Sequence, residues 1–239
     1  MLTVGSLFAG IGGLDLGLER AGMKTVWQVE IDPFCRKVLA KHWPDVERFE
    51  DVRTVGKHNL NPVDLICGGF PCQDIGCAGK RAGIDGERSG LWSEFHRIIC
   101  ELRPMFVVIE NSVALLIRGL DRVLCDLAAC GFDAEWQPVL ASDFTFPHRR
   151  ERLFVVAYAN GKHGASRMGN QQNWPREIFD RSRRERDAVR VQAADRFVGV
   201  DDGVRGRSYF DRGHAIGNAV VPQVAEWIGR RIVESAGGR

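Results

Sequence analysis

Up to about residue 160, short apolar runs alternate with stretches whose apolar positions recur at helical spacing. Residues 2–8, 25–30, 63–67, 105–109, 136–140 and 153–158 predict strands. Between them, residues 14–20, 34–42, 91–102 and 116–128 predict helices, the third apolar at 91, 95, 98, 99 and 102 and the fourth at 116, 120, 123, 124 and 127. Alternation of this kind predicts an α/β fold with a largely parallel sheet covered by helices on both faces. Ligands of such sheets sit beyond the carboxyl ends of the strands, so the residues that close each apolar run are the ones to read for chemistry.

From residue 161 to 213 the pattern dissolves, with only 16 of 53 residues apolar. That segment holds 12 Lys and Arg against 8 Asp and Glu, an excess of +4 in a chain whose net charge is +2. The basic excess is therefore local and marks the segment as the candidate polyanion contact, against the plain alternative of a solvated charged surface. Periodicity returns in HAIGNAVVPQVAEWIGRRIVES, where Val221, Val224, Ala225, Ile228 and Ile232 share one helical face behind Pro222, a residue suited to a first turn. The division predicts a main domain over 1–160, a small inserted subdomain over 161–213, and a helix within 214–239 that returns to the main domain.

A length of 239 residues suits one well-buried domain with a modest appendage. With 44% apolar and 27% charged residues the composition is that of a globular protein. No apolar run approaches the ~20 residues of a membrane span, so no membrane association is expected. The N-terminus has no pattern of a secretion signal. Seven cysteines, an odd and scattered set, do not form a disulfide framework and fit a reducing cytoplasm. Cys35, Cys100, Cys125 and Cys130 are expected to be buried and inert. Cys67, Cys72 and Cys77 are spaced C-x4-C-x4-C without a matching His pair, a poor zinc pattern, and no metal is expected.

Four strand ends carry chemistry. SLFAGIGG closes the first strand and opens the first helix; its glycines suit either close packing or a ligand that approaches the backbone at a helix N-terminus. The next strand ends in VEID, where Glu30 can accept from ribose hydroxyls or stand as a solvated carboxylate. VDLICGGF leads into Cys72, whose thiolate would need neighbouring positive charge or an acid acting on its target. FVVIENS puts Glu110 and Asn111 after an apolar run, and PHRRERLFVV puts Arg150 and Arg152 on one face at the start of a strand.

FAGIGG, VEID, FEDV, GGFPCQ, IEN, PHRRERLF and IGNAVVP, in this order, resemble the DNA cytosine-5 methyltransferases through residues 3–158 and again from about 214 to 233. The resemblance implies a Rossmann-like S-adenosylmethionine-dependent fold with an inserted target-recognition subdomain, here of a compact bacterial or phage type. By matching position it implies a nucleophile Cys72, with Glu110 on the cytosine ring edge, Arg152 on the base carbonyl and Arg150 beside them. Phe8, Gly10, Gly12, Glu30, Ile31, Asp51, Val52, Pro71, Leu91 and Asn218 would border the cofactor. Gln73, Arg88, Arg181, Arg183 and Arg184 would contact DNA. The implied product is S-adenosylhomocysteine, the partner double-stranded DNA, and the state a monomer. Ser6 departs from the family, which usually has Asp there. A tRNA cytosine methyltransferase, a non-catalytic cofactor- or DNA-binding module and a dinucleotide oxidoreductase are the rival readings.

Overall fold

Strands β1 (Thr3–Leu7), β2 (Lys24–Val29), β3 (Glu47–Phe49), β4 (Leu65–Gly68), β5 (Phe106–Ser112), β6 (Phe132–Leu140) and β7 (Glu151–Ala159) form one sheet in the order β3-β2-β1-β4-β5-β7-β6. This is seen in a computed structural model that describes residues 1–71, 90–144, 150–159 and 219–237. Among these lie helices α1 (Gly13–Arg20), α2 (Pro33–His42), α3 (Leu91–Leu102), α4 (Leu115–Arg118), α5 (Leu120–Ala129) and α6 (Pro222–Gly237). Each predicted strand and helix has a counterpart there, and Pro222 opens α6 as its sequence position suggests. None of these helices is long and apolar enough to cross a membrane.

Three features differ from the sequence expectation. The first five strands pair in parallel, but β7 runs antiparallel to both β5 and β6. Among the described residues of the link between β6 and β7 lies a short 3₁₀ turn, Ala141–Phe144, and a parallel return would need a crossover of a dozen or more residues. The run over 116–128 is interrupted at Gly119, which caps α5. Strand β3 was not predicted; its sequence Glu-Arg-Phe is too short and too charged to show a strand period, and it forms by pairing with Trp27–Val29.

Two apolar layers cover the sheet. One packs Trp92, Phe95, Ile98 and Ile99 of α3 and Val123 and Leu127 of α5 against Leu7, Ile66, Val107 and Ile109. The other packs Leu14 and Leu18 of α1 and Val224, Ala225, Trp227, Ile228 and Ile232 of α6 against Val4, Leu65, Cys67, Phe106 and Val108. Helices α1 and α6 pack closely at glycines, Gly17 on α1 and Gly229 on α6. A methyl group on Gly17 would overlap the Pro222 carbonyl and Ala225, so glycine is what lets the two backbones touch.

The cysteines also depart from expectation. Cys35 and Cys67 are buried free thiols, but Cys125 is exposed and Cys100 is paired with Cys130 as a disulfide, because the end of α3 lies beside the C-cap of α5.

Candidate active site and cofactor cleft

A cleft of about 560 Å³ opens along the carboxyl edge of the sheet, within the usual size of a small-molecule site. Chain direction explains its place. Strands β1, β2, β4 and β5 all end at this edge, and β1 lies between β2 and β4, where the order of connection reverses. The antiparallel β7 begins at the same edge, with Arg152 paired to Ser112 at the end of β5. An arginine at the start of one strand thereby meets an acid near the end of another.

At one end of the cleft, Phe8 and Gly10 turn the chain out of β1, both with left-handed backbones, φ 53° and 56°. For Phe8 this is a sparsely populated conformation of the kind that concentrates at functional sites. Glu30 closes β2. Its Oε2 accepts from the Gly10 N–H at 2.7 Å and its Oε1 from the Asp32 N–H at 2.8 Å. Burial pushes the Glu30 carboxyl up, and those two backbone donors pull it back. A carboxylate has about four acceptor sites, so two stay open to hydroxyl donors.

Ile31 is 63% exposed, the most exposed large apolar side chain on the cleft wall, which Phe8 and Val52 also line. Asp51 caps the 3₁₀ turn Val52–Thr54, and both of its oxygens are engaged by Arg53, with Nη2 2.7 Å from Oδ2. The Arg53 contact holds the Asp51 carboxyl below its ordinary range. Cys35 also lines this end, but burial together with Glu30 and Asp32 pushes its thiol up to about 12, which leaves it protonated and inert. Apolar walls beside a ring of hydroxyl acceptors fit a nucleoside.

At the other end, Glu110 and Arg152 lie on the same face of neighbouring strands, because Glu110 pairs with Phe154, two residues along from Arg152. Arg152 Nε stands 3.0 Å from Glu110 Oε1, an ion pair without the alignment of a hydrogen bond. Glu110 is buried, and burial raises its carboxyl above the ordinary value against the opposing pull of Arg152 and Arg150. Burial and the neighbouring Arg152 push the Arg150 guanidinium the other way, down. The result is a buried carboxyl biased toward holding a proton, with two guanidiniums beside it.

Several contacts in the site were not read from the sequence, although Asn111 was noted beside Glu110 at its strand end. Asn111, 2% exposed, donates from Nδ2 to the Phe70 carbonyl at 3.2 Å and so ties the segment before Cys72 to β5. Gly69 lies against Glu110: a methyl there would stand 2.8 Å from Glu110 Oε2. Ala219 and Val220 line the cleft just before α6. Behind the glycine turn, fully buried Asp15 accepts from Ser6 Oγ at 3.0 Å and Gln28 Nε2 at 2.9 Å, and burial raises its carboxyl to about 6. Ser6, where an Asp is usual in the family the motifs resemble, therefore still has a carboxylate against it. That pairing brings together residues nine apart in the chain, a signal visible only once α1 folds back on β1.

Of the sequence candidates, Phe8, Gly10, Glu30, Ile31, Asp51, Val52, Pro71, Leu91, Glu110, Arg150 and Arg152 line this one cleft. Gly12 does not; it caps α1, and a methyl on it would meet the Trp43 ring. Cys72, Gln73, Arg88, Arg181, Arg183, Arg184 and Asn218 lie outside the described residues, as does the segment 161–213.

Fold and cleft together define a Rossmann-like α/β protein whose cleft holds the Glu30 rim at one end and a buried carboxyl beside two guanidiniums at the other. Residues 2–190 match the model of the C-5 cytosine-specific DNA methylases, and the chain belongs to that family. It is 35% identical over 164 residues to Type II methyltransferase M2.BsuMI of Bacillus subtilis, covering 65% of this chain and 42% of that one. It is 32% identical over 195 residues to Type II methyltransferase M.AquIA of Picosynechococcus, covering 70% and 79%. Among solved structures, a protein encoded within an E. coli prophage and described as a DNA modification methyltransferase superposes with a TM-score of 0.57 at 31% identity, covering 66% of this chain and 47% of that one. The S. pombe Dnmt2 methyltransferase, 19% identical with a TM-score of 0.56 over 69% and 51%, shares the fold. The chain thus spans less than half the length of the B. subtilis relative.

Proposed function

We propose that the chain carries the catalytic core of a DNA cytosine-5 methyltransferase, which moves the methyl group of S-adenosylmethionine to C5 of a cytosine in double-stranded DNA and leaves S-adenosylhomocysteine. The observation that carries this reading is the ion pair between buried Glu110 and partly exposed Arg152 in the same cleft as the Glu30 rim, with Pro71, the residue before Cys72, also on its wall. When bound, S-adenosylmethionine supplies an electrophilic methyl group. Glu30 accepts the ribose hydroxyls, Phe8, Ile31 and Val52 hold the adenine, Asp51 accepts from its amino group, and Asn218 reaches the amino-acid end.

Cytosine C5 is a weak nucleophile until C6 carries an added group. The Cys72 thiolate adds to C6, and Glu110, biased by burial toward the protonated form, supplies the proton that N3 takes up. Arg152 binds the base carbonyl and, with Arg150, keeps the Glu110 proton within exchange. C5 then takes the methyl group and loses its own proton to a base, the electrons of that C–H bond expel the Cys72 sulfur, and N3 returns its proton to Glu110. The base must leave the duplex stack for this cleft to enclose it.

Residues 1–160 form the catalytic domain in this reading, 161–213 a small target-recognition subdomain and 214–239 the returning segment. Gln73, Arg88, Arg181, Arg183 and Arg184 contact DNA. The protein works as a cytoplasmic monomer. The test is incubation with S-adenosylmethionine and unmethylated genomic DNA, followed by mapping of C5-methylcytosine at base resolution, with Cys72→Ala in parallel. Cysteine-dependent methylation within one short motif is expected. Equal methylation by the variant would overturn the mechanism, and methylation confined to tRNA would overturn the substrate.

A further inference from the structure

The back of the molecule carries a second set of reactive side chains that the cleft does not use. His96 and Cys100 stand one turn apart on α3, and Cys130 faces them from the C-cap of α5. The Cα atoms of Cys100 and Cys130 are 5.9 Å apart, within the range that a disulfide spans without backbone movement. His96 Nε2 lies 3.2 Å from the Cys130 sulfur and 3.5 Å from the Cys100 sulfur, and also 3.0 Å from the Asp126 carbonyl. Arg103 Nη1 donates to the Cys130 carbonyl at 3.0 Å, which brings a positive charge to the same corner. Cys130 is buried but Cys100 is partly exposed, so a reagent approaches the pair from the Cys100 side.

We propose that Cys100, Cys130 and His96 form a reversible thiol–disulfide site that exchanges with small-molecule disulfides of the glutathione type. A structural disulfide has no use for an imidazole within reach of both sulfurs, whereas exchange does: the attacking thiol must lose a proton, and the released thiolate must regain one. Cys100 gives its proton to solvent, its thiolate is steadied by the His96 Nε2–H that also reaches the Asp126 carbonyl, and it attacks one sulfur of the external disulfide. This makes a mixed disulfide and releases one thiol. The Cys130 thiolate then attacks the Cys100 sulfur, closes the Cys100–Cys130 bond and releases the second thiol. Two protein thiols are oxidised and one disulfide is reduced to two thiols. In a reducing compartment a disulfide of this kind is transient and responds to redox poise rather than building the fold.

Closure would act on the helix that borders the cleft. Helix α3 starts at Leu91 on the cleft wall, and Trp92 packs on Phe70 with ring centroids 5.4 Å apart. The same Trp92 donates from Nε1 to Asp126 at 2.9 Å, so α3 is already tied to α5 near its start and the disulfide ties it again near its end.

The test uses the whole protein, reduced, freed of reductant under anaerobic conditions and equilibrated across ratios of glutathione to glutathione disulfide. Free thiols are then alkylated and mapped by peptide. Cys100 and Cys130 are expected to lose alkylation together in one two-electron step, while Cys35 and Cys67 resist alkylation until the protein is denatured. Cys130→Ser should stop at a glutathione adduct on Cys100. His96→Gln should still close the pair, about tenfold more slowly, an effect on rate that a purely packing histidine would not produce. Alkylation of both cysteines at every ratio would overturn the proposal. So would reduced protein that holds stoichiometric zinc and becomes alkylatable only after chelation, which would assign the same three side chains to a metal.

Discussion

Glu30 and Glu110 both close strands at the carboxyl edge of one sheet and both have carboxyls raised by burial, yet they are held in opposite ways. Glu30 is held by two backbone N–H groups, from Gly10 in the turn after β1 and Asp32 in the turn after its own strand, β2. Glu110 is held by guanidiniums that arrive on a distant strand only after β7 has paired with β5. Backbone donors fix an acceptor in place without a competing charge, which suits a group whose task is to bind. Arginines set a balance between burial and attraction, which suits a group whose task is to keep or release a proton.

The difference can be broken most sharply at Glu110. Glu110→Gln should lower turnover by about 10²–10⁴-fold while cofactor affinity, read by calorimetry, stays at the wild-type value. A parallel loss of affinity would show that the two ends are not separable. Arg152→Gln should cost roughly 10–100-fold in turnover and leave a buried carboxyl without its ion pair. The Glu110 carboxyl then moves further up, so the limb of the pH–rate profile that it governs shifts to higher pH. An unshifted profile would detach Arg152 from the titration. Glu30→Gln should weaken cofactor binding by about tenfold through loss of charge-assisted acceptance, with turnover at saturating cofactor nearly unchanged.

The smallest effect on activity is expected from Asp15→Asn, which bears on stability instead. The Asp15 carboxyl has a folded value of about 6 against an ordinary 3.8. Its protonated form therefore stabilises the fold fully below about 3.8, and that contribution is lost as pH rises through about 6. The loss amounts to roughly 2–3 kcal/mol across the window. Urea denaturation from pH 4 to 8 should show this decline in the wild type and a flatter profile in the variant. Equal slopes would mean that Asp15 does not titrate in the folded protein.

How much of this was legible in the sequence follows the same division. Glu30 was readable because it ends an apolar run about twenty residues after a glycine turn, a local signal. Glu110 and Arg152 were readable as residues at strand boundaries, but their contact required β7 to run antiparallel, and periodicity carries no information on strand direction. The grip of Arg53 on Asp51, the Asn111 tie to Phe70 and the Asp15–Ser6–Gln28 cluster are pairings of polar side chains, which leave no periodic trace. Cys100 and Cys130 looked inert for the same reason: what makes them a pair is the meeting of two helix ends, and each helix alone gives only one cysteine.

The flush contact between α1 and α6 has a consequence for synthesis on the ribosome. The glycine turn at the Glu30 end of the cleft leads directly into α1, and the bare flank of α1 at Gly13 and Gly17 is covered by Val220, Pro222 and Ala225. Until those residues emerge, a nascent chain holds strands β1–β7 with one face of its sheet missing the apolar cover that α6 supplies. The first helix to be translated is thus completed only by α6, and the cleft is not finished until that part of the chain has been made.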